Sequence, residues 1–94
     1  MQIIESRLFA KQLESAVEYY VNIHEALALS LLDDIDVNLQ SLINFPESGK
    51  PVTQSIRKIH LSRFPYHIYY RQTREKLSLV AFIHFRRANR KYTL

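Results

Sequence analysis

Residues 55–71 read Ser-Ile-Arg-Lys-Ile-His-Leu-Ser-Arg-Phe-Pro-Tyr-His-Ile-Tyr-Tyr-Arg. Apolar positions alternate with basic or polar ones, which is the period of a strand with one buried face. Phe64-Pro65 interrupts the alternation, so the stretch predicts two short strands joined there. A third is expected over Leu77–Arg86, after the polar turn Thr73-Arg74-Glu75-Lys76. Such a sheet cannot stand alone in water, because its apolar face needs a cover. Parity assigns Ile59, Leu61, Tyr66, Ile68, Tyr70, Leu77, Leu79, Ala81 and Ile83 to that face. The other, wet face then collects Lys58, His60, His67, Tyr69, Arg71, Phe82, His84 and Arg86.

The cover must come from the first fifty residues. Gln2–Glu5 contains Ile3-Ile4 and is too short for a helix, so it reads as a first strand. Ser6 is placed as an N-cap, and Leu8, Phe9, Leu13, Ala16, Val17, Tyr20 and Val21 recur at spacings of three and four. A helix over Arg7–Ile23 follows. After a break at residues 22–25, Ala28, Leu31, Leu32, Ile35, Leu39, Leu42 and Ile43 repeat the pattern. Pro46 stops this second helix, since proline lacks the amide and its ring clashes with the preceding turn. Phe45–Pro51 is expected to be loop, with Gly49, the only glycine, in a conformation a side chain would obstruct. Two helices with a short break between them form an antiparallel hairpin. The expected fold class is therefore α+β, in the order β-α-α-β-β-β: a short strand and a helical hairpin on a small twisted, mostly antiparallel sheet. Ninety-four residues make it one domain, 1–94.

Charge divides the chain in the same place. Residues 1–50 hold three Lys and Arg against eight acids, a net −5; residues 51–94 hold ten against Glu75 alone, a net +9. Part of that excess can be neutralised inside the fold, but most long basic side chains must reach solvent, where they attract anionic partners. There is no cysteine, which excludes a disulfide framework and thiolate chemistry. No apolar run approaches the roughly 20 residues that span a bilayer, and the N-terminus lacks the pattern of a signal peptide. A cytoplasmic protein is expected.

No enzyme class is written in local motifs. The histidines lie on different strands without a carboxylate or thiolate to complete a metal shell, so no metal and no cofactor is expected. Asp33-Asp34-x-Asp36 lacks the glycine and glutamate of a calcium loop and reads as a solvated helix face. His60, His67 and Tyr69 read individually as cross-strand neighbours on a solvated face. The basic cluster as a whole carries more weight than any member.

Four stretches occur in an order that resembles the RelE/ParE superfamily of toxins from bacterial type II toxin–antitoxin systems. They are Leu-Ile-Asn-Phe-Pro-Glu-Ser-Gly-Lys-Pro (42–51), Ile-Arg-Lys-Ile (56–59), Arg-Phe-Pro-Tyr-His-Ile-Tyr-Tyr (63–70) and Ile-His-Phe-Arg-Arg (83–87). The uninterrupted hairpin, the Phe-Pro-Glu-Ser-Gly-Lys-Pro loop and the Phe-Pro-Tyr strand are more similar to the ParE branch. The resemblance implies a toxin that inhibits DNA gyrase, blocks replication and growth, and is not an enzyme. Its target would be met by the basic sheet and tail: Arg57, Lys58, Arg63, Tyr69, Arg71, Arg86, Arg87, Arg90, Lys91 and Tyr92. It also implies a cognate antitoxin, in a hetero-oligomer, lying along the hairpin at Phe9, Leu13, Tyr20, Leu31, Ile35 and Leu39 and adding a strand to an open sheet edge.

The RelE branch implies the alternative, a metal-independent endoribonuclease acting on mRNA in the ribosome. Lys58, Arg87 and Tyr92 match that pattern in part, while His60 and His67 stand where those enzymes tend to carry Lys or Arg. Histidine can act as acid or base near neutral pH. A third possibility is an inactive homologue that partners its antitoxin only as a corepressor. The fold is common to all three and cannot separate them.

Overall fold

The computed structural model describes residues 1–88, with the side chains of residues 87 and 88 left aside. β1 (Gln2–Glu5) leads into α1 (Arg7–Ile23) and α2 (Glu25–Asn44), followed by β2 (Lys50–Pro51), β3 (Arg57–His60), β4 (Tyr66–Gln72), β5 (Lys76–His84) and a single-turn α3 (Phe85–Ala88). The strands form one sheet in the order β1-β5-β4-β3-β2, with β1 parallel to β5 and every other pair antiparallel. This is the expected α+β arrangement. It has one addition: Lys50–Pro51, expected as loop, pairs with Lys58 and Arg57 as a two-residue edge strand.

The caps explain the helix limits. Ser6 Oγ accepts from Phe9 N–H at 3.0 Å and opens α1. His24 closes α1 with its backbone N–H on Tyr20 O and opens α2 with Nδ1 accepting from Ala26 N–H at 3.1 Å. One extended residue therefore serves both helices, which keeps the hairpin tight. The helices lie over one face of the sheet. Phe9, Leu31, Ile35 and Leu42 pack there against Ile68, Tyr70, Leu77, Leu79 and Phe82.

Simple parity fails in β5, and the reason is a β-bulge. Tyr69 pairs with Ala81 but Tyr70 pairs with Leu79, so Val80 is extra. The side chains beyond Val80 change faces. Phe82, expected on the wet face, enters the helix-side core and stacks on Tyr66 at 4.6 Å between ring centroids. His84 follows it, edge-on to Tyr66 at 5.2 Å. Ala81 and Ile83, expected under the helices, instead join Tyr69 and Ile56 in a second buried cluster on the outer face. β1 ends before the bulge, and α1 takes over its role along β5. Ser6 N–H donates to Leu79 O, Ser6 Oγ donates to Val80 O at 2.8 Å, and Phe82 N–H donates to Gln12 Oε1 at 2.7 Å. Gln12, which falls off the apolar stripe, thus satisfies a backbone donor that the missing strand leaves open.

Candidate functional site

The outer face of the sheet is where the expected target contacts meet. Lys58 and Tyr69 are register partners, as are His60 and His67. The Lys58 ammonium lies 6.0 Å from the Tyr69 ring centroid. The His60 and His67 rings are 5.7 Å apart, and Phe85 at the start of α3 covers both, 4.5 Å from His67 and 5.9 Å from His60. His84 fixes that turn, its Nδ1 accepting from Arg86 N–H at 3.1 Å.

This face is less open than alternation alone suggests. Tyr69 is only 3% exposed, and burial raises its pKa above the usual phenol value. His67 is driven from 6.5 to about 4, first by burial, then by the positive charge of Lys58 and by His60. Its Nδ1 is buried and has no hydrogen-bond partner among the described residues. His67 is thus a neutral imidazole at neutral pH, close to the Lys58 ammonium. Of the basic groups expected to meet the target here, Arg71 and Arg86 are exposed and Lys58 is half-buried.

Two arginines expected at the target surface, Arg57 (half-buried) and Arg63 (exposed), also have partners within the fold. Arg57 shares its parity with Ile59, and its guanidinium donates to Gly49 O at 2.8 Å and Glu47 O at 3.2 Å. Arg63 reaches across to α2, pairing with Asp33 at 2.9 Å and approaching Asp34 at 4.0 Å. Arg90, Lys91 and Tyr92 lie outside the described residues, as does the side chain of Arg87.

The hairpin stripe expected to meet a partner is largely the stripe the sheet already uses. Phe9, Leu31 and Ile35 are core residues, and Leu13, Tyr20 and Leu39 are half-buried against that core. The apolar groups the hairpin actually exposes are others, among them Tyr19, Ile23, Leu29 and Val37.

Asp34 is the residue the sequence concealed most completely. Read as part of a solvated acidic face, it is 1% exposed. Its carboxylate accepts from the backbone N–H groups of Ser62 (3.3 Å), Arg63 (2.8 Å) and Phe64 (3.1 Å), and from Asn38 Nδ2 (3.1 Å). It thereby shapes the connection between β3 and β4. The available signal was its four-residue spacing to Asn38, together with a Ser-Arg-Phe-Pro turn that needs its free amides satisfied.

A helical hairpin covers one face of a five-stranded sheet, and basic groups lie on the other. The family model for the ParE toxin of the type II toxin-antitoxin system, parDE, matches residues 3–92, and the chain belongs to that family. Among solved structures, one titled "Chromosomal ParDE TA system from P. aeruginosa" shares the fold with a TM-score of 0.75. It is 19% identical and covers 89% of this chain and 95% of that one. No curated protein sequence matches the chain at a significant level. Among the described residues, no helix is long and apolar enough to cross a membrane.

Proposed function

We propose that this protein is the toxin of a type II pair, that it inhibits DNA gyrase, and that a cognate antitoxin neutralises it in the cytoplasm. The observation that carries the reading is membership of the ParE family over residues 3–92. The site chemistry supports it by arguing against the endoribonuclease alternative. General acid–base catalysis works best with groups whose pKa lies near the operating pH and that reach the substrate. His67 is held near 4 and its Nδ1 is buried, while Tyr69 is almost fully enclosed with a raised pKa. A His60–His67 pair of this kind suits a packed surface better than a proton relay.

The test is a supercoiling assay with purified gyrase, relaxed plasmid, ATP and this protein. Inhibition with accumulation of linear cleaved DNA is the expected outcome. No effect at large molar excess overturns the gyrase reading and leads to ribosome-bound mRNA as substrate. Substitution then separates the mechanisms. Lys58→Ala and His67→Ala should leave gyrase inhibition within about tenfold, whereas loss of a catalytic acid or base lowers cleavage by about 10²–10⁴-fold.

A further inference from the structure

α3 is a single turn, too short to be stable by itself, so its contacts with β4 and β5 hold it in place. The Phe85 N–H donates to Pro65 O at 2.9 Å, the Arg86 N–H donates to His84 Nδ1 at 3.1 Å, and the Phe85 and His67 ring centroids are 4.5 Å apart. The last two contacts require uncharged histidines. A charged imidazole has no free lone pair, so His84 in that form cannot accept from Arg86. A charged His67 carries N–H on both nitrogens, and its buried Nδ1 has no acceptor among the described residues.

The surroundings of His67 oppose a charge as well. β3 presents Lys58 and His60, with the His60 ring 5.7 Å away, and β4 presents Tyr69 at 6.1 Å. β5 presents the register partner Ile83, and α3 presents Phe85, followed in sequence by the exposed Arg86. None is a carboxylate, and the ion pairs among the described residues all belong to Arg63. A charged His67 is therefore relieved by water, and the ring that stands in the way is Phe85, itself 37% exposed. We propose that α3 is an acid-released latch: protonation of His67 and His84 lifts Phe85 from the sheet and frees the turn while the rest of the fold stays packed. The Phe85 N–H bond to Pro65 O involves no titratable group, so residue 85 is the hinge. The helix-side core lies on the other face of the sheet. The closed form holds His67 near 4 and the open form returns it toward 6.5, so the open form binds more protons and gains as pH falls through that window. Arg86 moves with the turn, so opening re-aims a charge expected at the target. That consequence rests on the proposed function, whereas the latch does not.

The test is an NMR titration of the full-length protein from neutral pH down to about 4, and it needs no gyrase. The through-space contact between the Phe85 and His67 rings should disappear with the same midpoint as the His67 ring titration. The Leu31 and Leu42 amides of α2 should keep their positions throughout. Phe85→Ala, a change at an exposed turn, should raise the His67 midpoint by about one unit or more toward 6.5, because water then reaches the ring. His84→Asn, whose side-chain oxygen accepts at any pH in this range, should reduce the acid response of the Arg86 amide. The inference is overturned if the ring contact persists once His67 is charged, or if Phe85→Ala leaves the His67 midpoint where it was. It is equally overturned if the Leu31 and Leu42 amides respond together with Phe85, since the fold then opens as a whole, or if His84→Asn leaves the Arg86 response unchanged.

Discussion

Asp34 shows how much of this fold can depend on one carboxylate. It accepts three consecutive backbone N–H groups that have no strand or helix to satisfy them. Asp34→Ala should destabilise the protein by about 3 kcal/mol, because each buried unsatisfied donor costs about 1–3 kcal/mol and water can relieve part of the loss. The check is a shift of the urea midpoint with unchanged slope. His67 gives a second expectation at this scale. Its native pKa, about 4, lies below its unfolded value of 6.5. Between those values the unfolded chain binds more protons, so stability falls on acidification from pH 6.5 and levels off below about 4. The ring is partly open to solvent, which discounts the effect to about 1 kcal/mol. Thermal melts at pH 7 and pH 5 should differ in the parent, and His67→Phe should remove that part of the difference.

At the scale of elements, most of the skeleton was legible and its decoration was not. The bounds of β1 and α1 follow from the Ser6 cap and the three-four spacing, and Pro46 fixes where α2 must have ended. These are local rules, and local residues carry them. The Val80 bulge is different. It depends on how β5 registers against β4, so no window along the chain announces it, and it reverses the faces of Ala81, Phe82, Ile83 and His84. The buried cluster on the outer face follows from that one insertion. Arg57 was legible in principle, since parity places it with Ile59. Its charge argued for solvent, but the carbonyls of Glu47 and Gly49 gave it a partner inside.

The same loop explains the single glycine. Gly49 does not have a positive φ, so backbone freedom is not what it supplies. A Cβ there would fall 2.3 Å from Tyr70 Oη. Tyr70 is fully buried and donates through that oxygen to Pro46 O at 2.7 Å, so it cannot swing away. Gly49→Ala should cost about 1–3 kcal/mol by overpacking. Tyr70→Phe should cost about 1–2 kcal/mol by leaving the Gly49 amide and Pro46 carbonyl unpaired. If the conflict is with the hydroxyl, Gly49→Ala should be milder in the Tyr70→Phe background, and a double-mutant cycle on urea midpoints reads that coupling.

Across the whole molecule, the acidic and basic halves hardly neutralise each other. Among the described residues only Arg63 bridges them by an ion pair, to Asp33 and Asp34. The basic excess is therefore available outward, which suits both an anionic target and an acidic partner. Hydrophobicity is distributed in a comparable way. The inner stripe of the hairpin is consumed by the sheet, yet Leu29 is 61% and Leu32 is 42% exposed. Three residues apart on α2, they are neighbours on its outer surface. Under the proposed function this is where the antitoxin should lie, and core and surface can be told apart by substitution. Leu31→Ala empties a fully buried position and should cost about 2–5 kcal/mol of folding stability. Leu29→Asn/Leu32→Asn removes no core contact, so the melting temperature of the toxin alone should barely move. Binding of the antitoxin, measured by calorimetry, should nevertheless weaken by about 30-fold, the scale of losing a hot spot of roughly 2 kcal/mol. Unchanged affinity in a normally folded double variant would remove the outer face of α2 as the docking surface and leave a sheet edge, β1 or β2, as the place for an added strand.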